Sequence, residues 1–479
     1  MTASVIMWFR NDLRLADNAA LHAAAAANLP VVPLFILDDD AAGSWCAAGA
    51  SRWWLHGSLA ALSDSLAAVD SRLVLARGAT RDILPRIAAK VGATTVYCSR
   101  AYEPWASALE TAVKTDLDKS GIELKRYRGA LLFEPESLRT GQDKPFQVYT
   151  PFARAAFAAH EDAKLLRRPH TLHAPSRWPA SDRLAEWKLR PTKPDWASGL
   201  SAAWTPGEEA AQKRLDAFLK RQIGTYHEHR NRPDLSGTSR LSPHLHHGEI
   251  SPRQCWQRTR LLAEAHPEHA QGVEVFLREL LWREFAYHQL VQHPELPDVP
   301  CREAFAHFPW KNSVKALRSW QRGRTGYPIV DAGMRELWST GWMHNRVRMI
   351  VGSFLVKHLL QPWQKGEAWF WDTLVDADLA SNATNWQWVA GSGVDAAPYF
   401  RIFNPVTQAE KFDPEGKYVR QWCPELAKLP APAIHAPWDV PPEILEKAGV
   451  DLGRTYPHPI VDHKEARARA LAAFESLKA

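Results

Sequence analysis

The sequence predicts an α/β domain joined to an all-α domain. Residues 1–130 read as a doubly wound parallel sheet, 131–206 as a long interdomain linker, and 207–479 as a helical domain. Three observations lead there. Apolar strand-like runs alternate with Ala-rich helical stretches over the first 130 residues. Pro and Trp then crowd a segment without periodicity. Long, Pro-free segments of helical period fill the remainder.

The strand runs are SVIMWF (4–9), LPVVPLFIL (29–37), SRLVLA (71–76), TTVYCS (94–99) and IELKRY (122–127). Between them lie helical stretches such as AALHAAAAA (19–27) and WWLHGSLAALSDSLAAV (53–69). Strands that are apolar on both faces and separated by helices build a parallel sheet, and such sheets bind ligands at the carboxyl ends of their strands. Neither GxGxxG nor GxxxxGK[ST] occurs, which removes the usual dinucleotide and P-loop readings. In the middle segment Pro recurs at 145, 151, 169, 175, 179, 191, 194 and 206, with Trp at 178, 187, 196 and 204. This is expected to be an irregular connection held to the surface by its indoles. Beyond it, VEVFLRELLWREFAYHQLV (273–291) and MHNRVRMIVGSFLVKHLL (343–360) are the strongest helices.

Composition narrows the function classes. No apolar run approaches the length of a membrane span. The N-terminal MTASVIMWFRNDLR reads as a strand followed by charges, not a signal peptide, so a soluble cytoplasmic protein is expected. Five Cys without a CxxC pair argue against disulfides and structural zinc. A net charge of +6 leaves a polyanion partner open. The 22 Trp are more than a core needs. Indoles stack on bases and are easily oxidised, and both uses stay open.

Four constellations could carry chemistry. Glu279 and Trp282 share a helix face; a surface pair of Glu279 with Arg283 is the plainer alternative. Asn345, Arg348 and Met349 share another face, where Asn is a poor helix former that often has a polar partner. RNRPDLSGTSRLSPHLHHGEIS (230–251) offers arginines, hydroxyls and backbone N–H groups suited to a phosphate, or simply a capped helix start. Its His244, His246 and His247 lack a second ligand cluster, so no metal is expected. DADLASNATNWQWVAGSG (376–393) sets two indoles beside small amides and carboxylates, with no His, Cys, Lys or Arg.

Together WFRNDLRLADN (8–18), GTSRLSPHL (237–245), ELLWREF (279–285), TGYPIVDAGMREL (325–337), GWMHNRVRMI (341–350), DADLASNATNWQW (376–388) and FRIFNP (400–405) resemble the DNA photolyase/cryptochrome family. The resemblance runs from Val5 to about residue 465. WKLRPTKPDWA and LASNATNWQWVAGSG are most like class III cyclobutane pyrimidine dimer photolyases. It implies a light-driven flavoenzyme whose reduced FAD passes an electron to a dimer flipped out of UV-damaged DNA. By match, Tyr226, Arg230, Thr238, Ser239, Leu241 and Ser242 hold the flavin phosphates and nearby groups, and Arg230 also meets DNA. Asn345, Arg348, Asp376 and Asp378 surround the ring, ribityl and adenine, with Arg348 and Asp376 as a buried ion pair. Asn382 faces flavin N5. Glu279 hydrogen-bonds the dimer, Trp282 and Trp388 clamp it, Met349 lies beside it, and Arg346 touches DNA or the lesion pocket. Trp386, Trp363 and Trp310 form an electron-transfer chain outward from the flavin.

The resemblance also ranks the alternatives. A cryptochrome-like photoreceptor with little or no repair activity is the runner-up. Asn382 stands against it, because plant cryptochromes carry Asp there; so do the full clamp and the short stretch after YPHPIVDHKEARARALAAF. Repair of the (6-4) photoproduct calls for His at the positions of Asn345 and Met349. A flavin oxidoreductase unrelated to light has no nicotinamide motif here. The antenna expected is 5,10-methenyltetrahydrofolate, with 8-hydroxy-5-deazaflavin or none as alternatives, and Asp38, Trp53, Tyr102 and Glu103 as candidate contacts. Pro104, Trp105 and Ala106 replace the Asn–Glu pair of class I folate binders. The protein is expected to act as a monomer.

Overall fold

The computed structural model describes residues 3–160, 164–395 and 400–477. Five strands, β1 (Ser4–Phe9), β2 (Val31–Leu37), β3 (Val74–Arg77), β4 (Ala93–Ser99) and β5 (Glu123–Tyr127), form one sheet in the order β3-β2-β1-β4-β5, and every pairing is parallel. Side-chain alternation explains the double winding. Val5, Met7 and Phe9 of β1 face a core with Leu21, Leu55, Leu59 and Leu62. Ile6 and Trp8 face the opposite core with Ile83, Leu84, Ile87, Val113 and Leu117. Both faces are therefore covered by helices, which is why the inner strands β1 and β2 are buried throughout, while edge strand β5 carries Glu123, Lys125 and Arg126.

The chain divides into two compact units. The first comprises residues 1–224, 239–294 and 375–378. It thus takes in a long helix, α1 (Ala270–Gln292), in addition to the sheet. WFRNDLR ends β1 and is an anchor. Arg14, 1% exposed, donates to the carbonyls of Gly248, Asp17 and Gly129 at 2.8–2.9 Å. Gly248 has φ +67, and a Cβ there would lie 2.0 Å from the Asn11 carbonyl oxygen, so only glycine allows this approach. Glu249, wholly buried, accepts from Trp54 Nε1, Ser58 Oγ and the Gly207 amide, and meets His244 Nδ1. His244 is structural in that sense.

The expected linker is more ordered than its composition suggests. Tyr149–Ala159 is a helix, and Trp187 and Trp204 are buried at 5% and 4%. Trp196 is exposed, so not every indole there packs. The helix escaped notice because Tyr149 and Pro151 open it; Pro is tolerated in a first turn, where its missing N–H has no helical partner.

The second unit, residues 225–238, 295–374 and 379–479, is helical. Its elements used below are α2 (Asn345–Ser353), α3 (Trp363–Thr373), α4 (Leu379–Ala390), α5 (Pro405–Phe412) and α6 (His463–Glu475). The helix expected over 343–360 starts at Asn345, capped by His344, and passes into a π turn at Phe354–His358. TGYPIVDAG proves to be a scaffold knot: Asp331 accepts from Thr325 N and Oγ1, Gly326 N and Tyr456 Oη at 2.6–3.0 Å.

Candidate active site

In the first unit, α1 carries Glu279 and Trp282 one turn apart on one face, with Tyr287 two turns after Glu279. Trp282 is 37% exposed. Its ring lies flat on Tyr149, with centroids 3.5 Å apart and planes 7° from parallel. Tyr149 is itself fixed by donating to the Arg278 carbonyl at 2.7 Å. An exposed indole held rigid from behind presents one free face at little entropic cost, which suits stacking on a base. Tyr149 was not anticipated from sequence, because the segment holding it reads as linker. Glu279 is half-buried beside this indole on the same helix, and Arg283 turns instead to the Ala130 carbonyl and Glu284.

Tyr287 donates to Asp378 at 2.5 Å, and His246 Nδ1 lies 3.8 Å from the same carboxylate. Burial alone would raise the Asp378 pKa; the bond with His246 and the charge of Arg283 outweigh it and hold the group well below the ordinary range. Asp378 is therefore a fixed anion. Asp376, 7% exposed, accepts from Ser242 Oγ at 2.6 Å. Ser239 Oγ accepts from the Leu241 amide, and between them Arg240 adopts a left-handed φ of 51° with its guanidinium 4.6 Å over Trp204. A non-glycine residue held at positive φ by packing shapes the loop that carries the hydroxyls.

In the second unit, Tyr226 is buried and Arg230 lies over its ring at 5.9 Å. Gly237 lets Thr238 approach closely: a Cβ there would sit 2.8 Å from the His229 carbonyl oxygen. On α2, Asn345 is exposed and Arg348 donates to the Met343 carbonyl at 2.7 Å. Arg346 donates to Asn231 at 2.6 Å, contacts Met349 Sδ at 3.7 Å and lies 4.5 Å over Phe412.

Helix α4 answers the question posed by two indoles around a glutamine. Trp386 is buried at 4% and packs on Phe370 and Trp320 at 5.0 and 6.2 Å. Trp388 is half-buried. Gln387 between them is wholly buried and makes four bonds, donating to the Leu296 and Val299 carbonyls and accepting from the Cys301 amide at 2.7–2.9 Å and from Ser392 Oγ at 3.3 Å. The glutamine pins the helix, so the two indoles project in fixed and different directions. Asn382, four residues before Trp386, is 8% exposed and donates to the Glu367 carbonyl at 3.1 Å. Trp363 opens α3 at 1% exposure, and Trp310 is half-buried against Phe308 at 4.3 Å. Trp386 and Trp363 are thus enclosed and Trp310 is accessible.

Of the antenna candidates, Asp38, Tyr102 and Glu103 follow strand ends and Trp53 is on a helix. Asp38, after β2, accepts from the amides of Ala41 and Thr80 and so caps local structure. Trp53 is buried with Arg190 5.6 Å over it. Tyr102, after β4, donates to Glu134 and packs edge-on against Tyr287; Glu103 accepts from the Tyr102 amide. Asp38 and Tyr102 follow strands separated by β1, about 10 Å apart across the sheet, whereas Trp53 lies on the helix Gly49–Ala67. Among the described residues no cluster of three metal-ligating side chains occurs, and no helix is long and apolar enough to cross a membrane.

Two family models match: the DNA photolyase model over residues 5–175 and the FAD binding domain of DNA photolyase over 276–476. The chain is 51% identical to a deoxyribodipyrimidine photo-lyase of Agrobacterium fabrum, covering all of this chain and 98% of that one. It is 40% identical to Cryptochrome-2 of Arabidopsis thaliana, over 98% of this chain and 78% of the relative. A crystal structure of a bacterial class III photolyase from Agrobacterium tumefaciens superposes with a TM-score of 0.96 at 51% identity, covering 100% and 98% of the two chains. The chain belongs to the DNA photolyase/cryptochrome family and carries that family's FAD-binding domain.

Proposed function

We propose that this protein is a deoxyribodipyrimidine photo-lyase that uses light to split cyclobutane pyrimidine dimers in UV-damaged DNA, acting as a cytoplasmic monomer. The observation that carries the reading is the division of labour on α4. Asn382 and Trp386 are enclosed on one face, Trp388 is open two residues on, and Gln387 locks the register.

The residues fit a flavin nucleotide. Thr238, Ser239 and Ser242 supply hydroxyls and Arg230 a guanidinium, a donor set suited to a diphosphate. Asp376 and Asp378 are buried acceptors suited to ribityl hydroxyls and ring N–H groups. Trp386 Nε1 is a buried donor without a partner among the described residues, as expected where a further group completes the site. Bound FAD supplies light-driven one-electron chemistry, which no side chain here provides. Asn382, neutral and anchored by Glu367, faces the ring. Glu279 gives the dimer a carboxyl partner while Trp282 and Trp388 stack on it. Trp310, Trp363 and Trp386 relay electrons inward. Asp38, Tyr102 and Glu103 at the β2 and β4 strand ends, with Trp53, would hold a methenyltetrahydrofolate antenna, which would supply light harvesting.

The test is the absorption spectrum of the purified protein, followed by illumination with dimer-containing DNA. Flavin bands with light-dependent loss of dimers are expected, and an added near-ultraviolet band would report the folate. Flavin bands that change in light while every dimer persists would overturn repair in favour of a photoreceptor.

A further inference from the structure

The two carboxylates assigned to the flavin sit on one tight turn of the first unit. The Asp378 amide donates to the Asp376 carbonyl at 2.7 Å, which closes a three-residue turn. Each carboxylate is held by a hydroxyl. Ser242 donates to Asp376 at 2.6 Å, and Tyr287 donates to Asp378 Oδ2 at 2.5 Å. Ser242 belongs to the GTSRLS stretch and has a role by match. Tyr287 lies two residues beyond ELLWREF and has none.

The surroundings of Tyr287 fix its hydroxyl. The residue is buried on α1, where a hydroxyl without a partner is costly. Tyr102 packs edge-on against its ring, with centroids 5.7 Å apart and planes at 74°, and the Arg283 guanidinium lies 5.0 Å over it. Burial, and then the Asp378 charge, push the Tyr287 pKa well up, so the proton stays on the phenol and the charge on the carboxylate. A phenol on a carboxylate at 2.5 Å is at the short, strong end of hydrogen bonding. His246 Nδ1, at 3.8 Å from the same oxygen, is the more distant group. The helix that carries Glu279 and Trp282 is therefore tied by one phenol to the turn that carries Asp378.

We infer that Tyr287 is a positioning residue for the flavin: its hydroxyl holds Asp378 in place and spreads the charge of that carboxylate. The inference rests on the flavin reading of Asp378. An anion beside the flavin ring opposes the gathering of negative charge there. A strong donor bond to that anion weakens the opposition, so the phenol makes the ring easier to reduce. Tyr287 itself touches Asp378 and acts through it.

The experiment compares Tyr287→Phe, Asp378→Asn and the double variant, each purified with flavin. Flavin affinity is read from fluorescence regained on dilution, and the midpoint potential from reductive titration. Phe keeps the ring packed between Tyr102 and Arg283 and removes only the hydroxyl. Tyr287→Phe is expected to weaken flavin binding about 10- to 150-fold, as loss of a charge-assisted bond does, and to make the potential more negative. On the Asp378→Asn background the same change should remove about half as much log affinity, because a bond to a neutral amide is roughly half as strong, and leave the potential unmoved. Parent affinity and potential in Tyr287→Phe, or equal losses on both backgrounds, would overturn the assignment. Replacing Tyr287 by meta-fluorotyrosine keeps the phenol and strengthens it as a donor, so the potential should move the opposite way. No movement, or movement to more negative values, would also overturn it. Failure of the flavin reading shows separately, as an Asp378→Asn protein that holds flavin at parent affinity.

Discussion

The packing around Trp386 makes a quantitative prediction at Gly366. Trp386 lies between two glycines, Gly352 on α2 and Gly366 on α3, with Phe370 and Trp320 completing the walls. A Cβ on Gly366 would fall 2.1, 2.4 and 2.6 Å from three indole carbons, far inside contact distance. A Cβ on Gly352 would meet the same ring at 3.7 Å, an ordinary contact, and Val389 Cγ1 at 3.3 Å. Gly366→Ala gains about 1 kcal/mol of helix propensity. The overpacking costs about 1–3 kcal/mol, because a buried indole cannot move without displacing its neighbours. The net loss expected is about 0–2 kcal/mol, read by chemical denaturation of the flavin-loaded protein. The displaced indole should also slow light-driven reduction of oxidised flavin, while protein reduced beforehand with dithionite still repairs. Gly352→Ala, the matched control, should change neither by much. A Gly366→Ala protein as stable as the parent with undiminished photoreduction would refute the view that this close approach sets the indole's position.

Four further outcomes follow from the same geometry. Trp386→Phe should abolish or strongly slow photoreduction and spare repair by pre-reduced enzyme. Photoreduction that survives would point to another route, for which the stacked Trp338–Trp369 pair, 6.1 Å apart with Trp338 57% exposed, is the first suspect. Glu279→Ala should keep flavin and lose a charge-assisted hydrogen bond worth about 1.5–3 kcal/mol, lowering the preference for dimer over undamaged DNA about 10- to 150-fold in binding assays. Tyr149→Ala should weaken lesion binding by freeing Trp282, whereas Tyr149→Phe keeps the stack and most of the affinity. Glu284 is buried, which pushes its pKa up to about 7 despite Arg283 and the amides of Leu132 and Phe133. A carboxyl raised in the folded state stabilises most below its unfolded pKa, and that stability is lost as pH rises through about 7. Glu284→Gln should therefore be on the order of 3 kcal/mol more stable at about pH 8, with little difference at about pH 4.

How far the sequence could be read depended on the range of the interactions concerned. The sheet was legible because alternation is local: every residue of β1 is buried, and that alone separates a doubly covered strand from a half-exposed one. The roles assigned to the candidate site residues came from resemblance, although helical spacing alone paired Glu279 with Trp282 and Asn345 with Arg348 and Met349. Asn382 and Trp386 share a face by simple helical count, yet nothing local says that Glu367 will take the amide or that Gly366 will lie against the indole. Tyr149 and Trp282 are far apart in sequence, and their stack exists only because a helix hidden in a Pro-rich stretch packs on α1. Gln387 makes the same point most sharply. In sequence it is a polar interruption between two aromatics, and one would place it on a wet surface. In the fold it is the most enclosed of the three, and its bonds to a loop some ninety residues upstream let one neighbour be core and the other stay open. A buried amide with all four of its bonds made costs little to enclose and resists rotation. Gln387→Leu would keep the volume and lose that register. It should therefore disturb photoreduction at Trp386 and lesion binding at Trp388 together, where substitution of either indole disturbs one. A Gln387→Leu protein defective in only one of the two would show that the indoles are positioned independently, and the division of labour on α4 would need another cause.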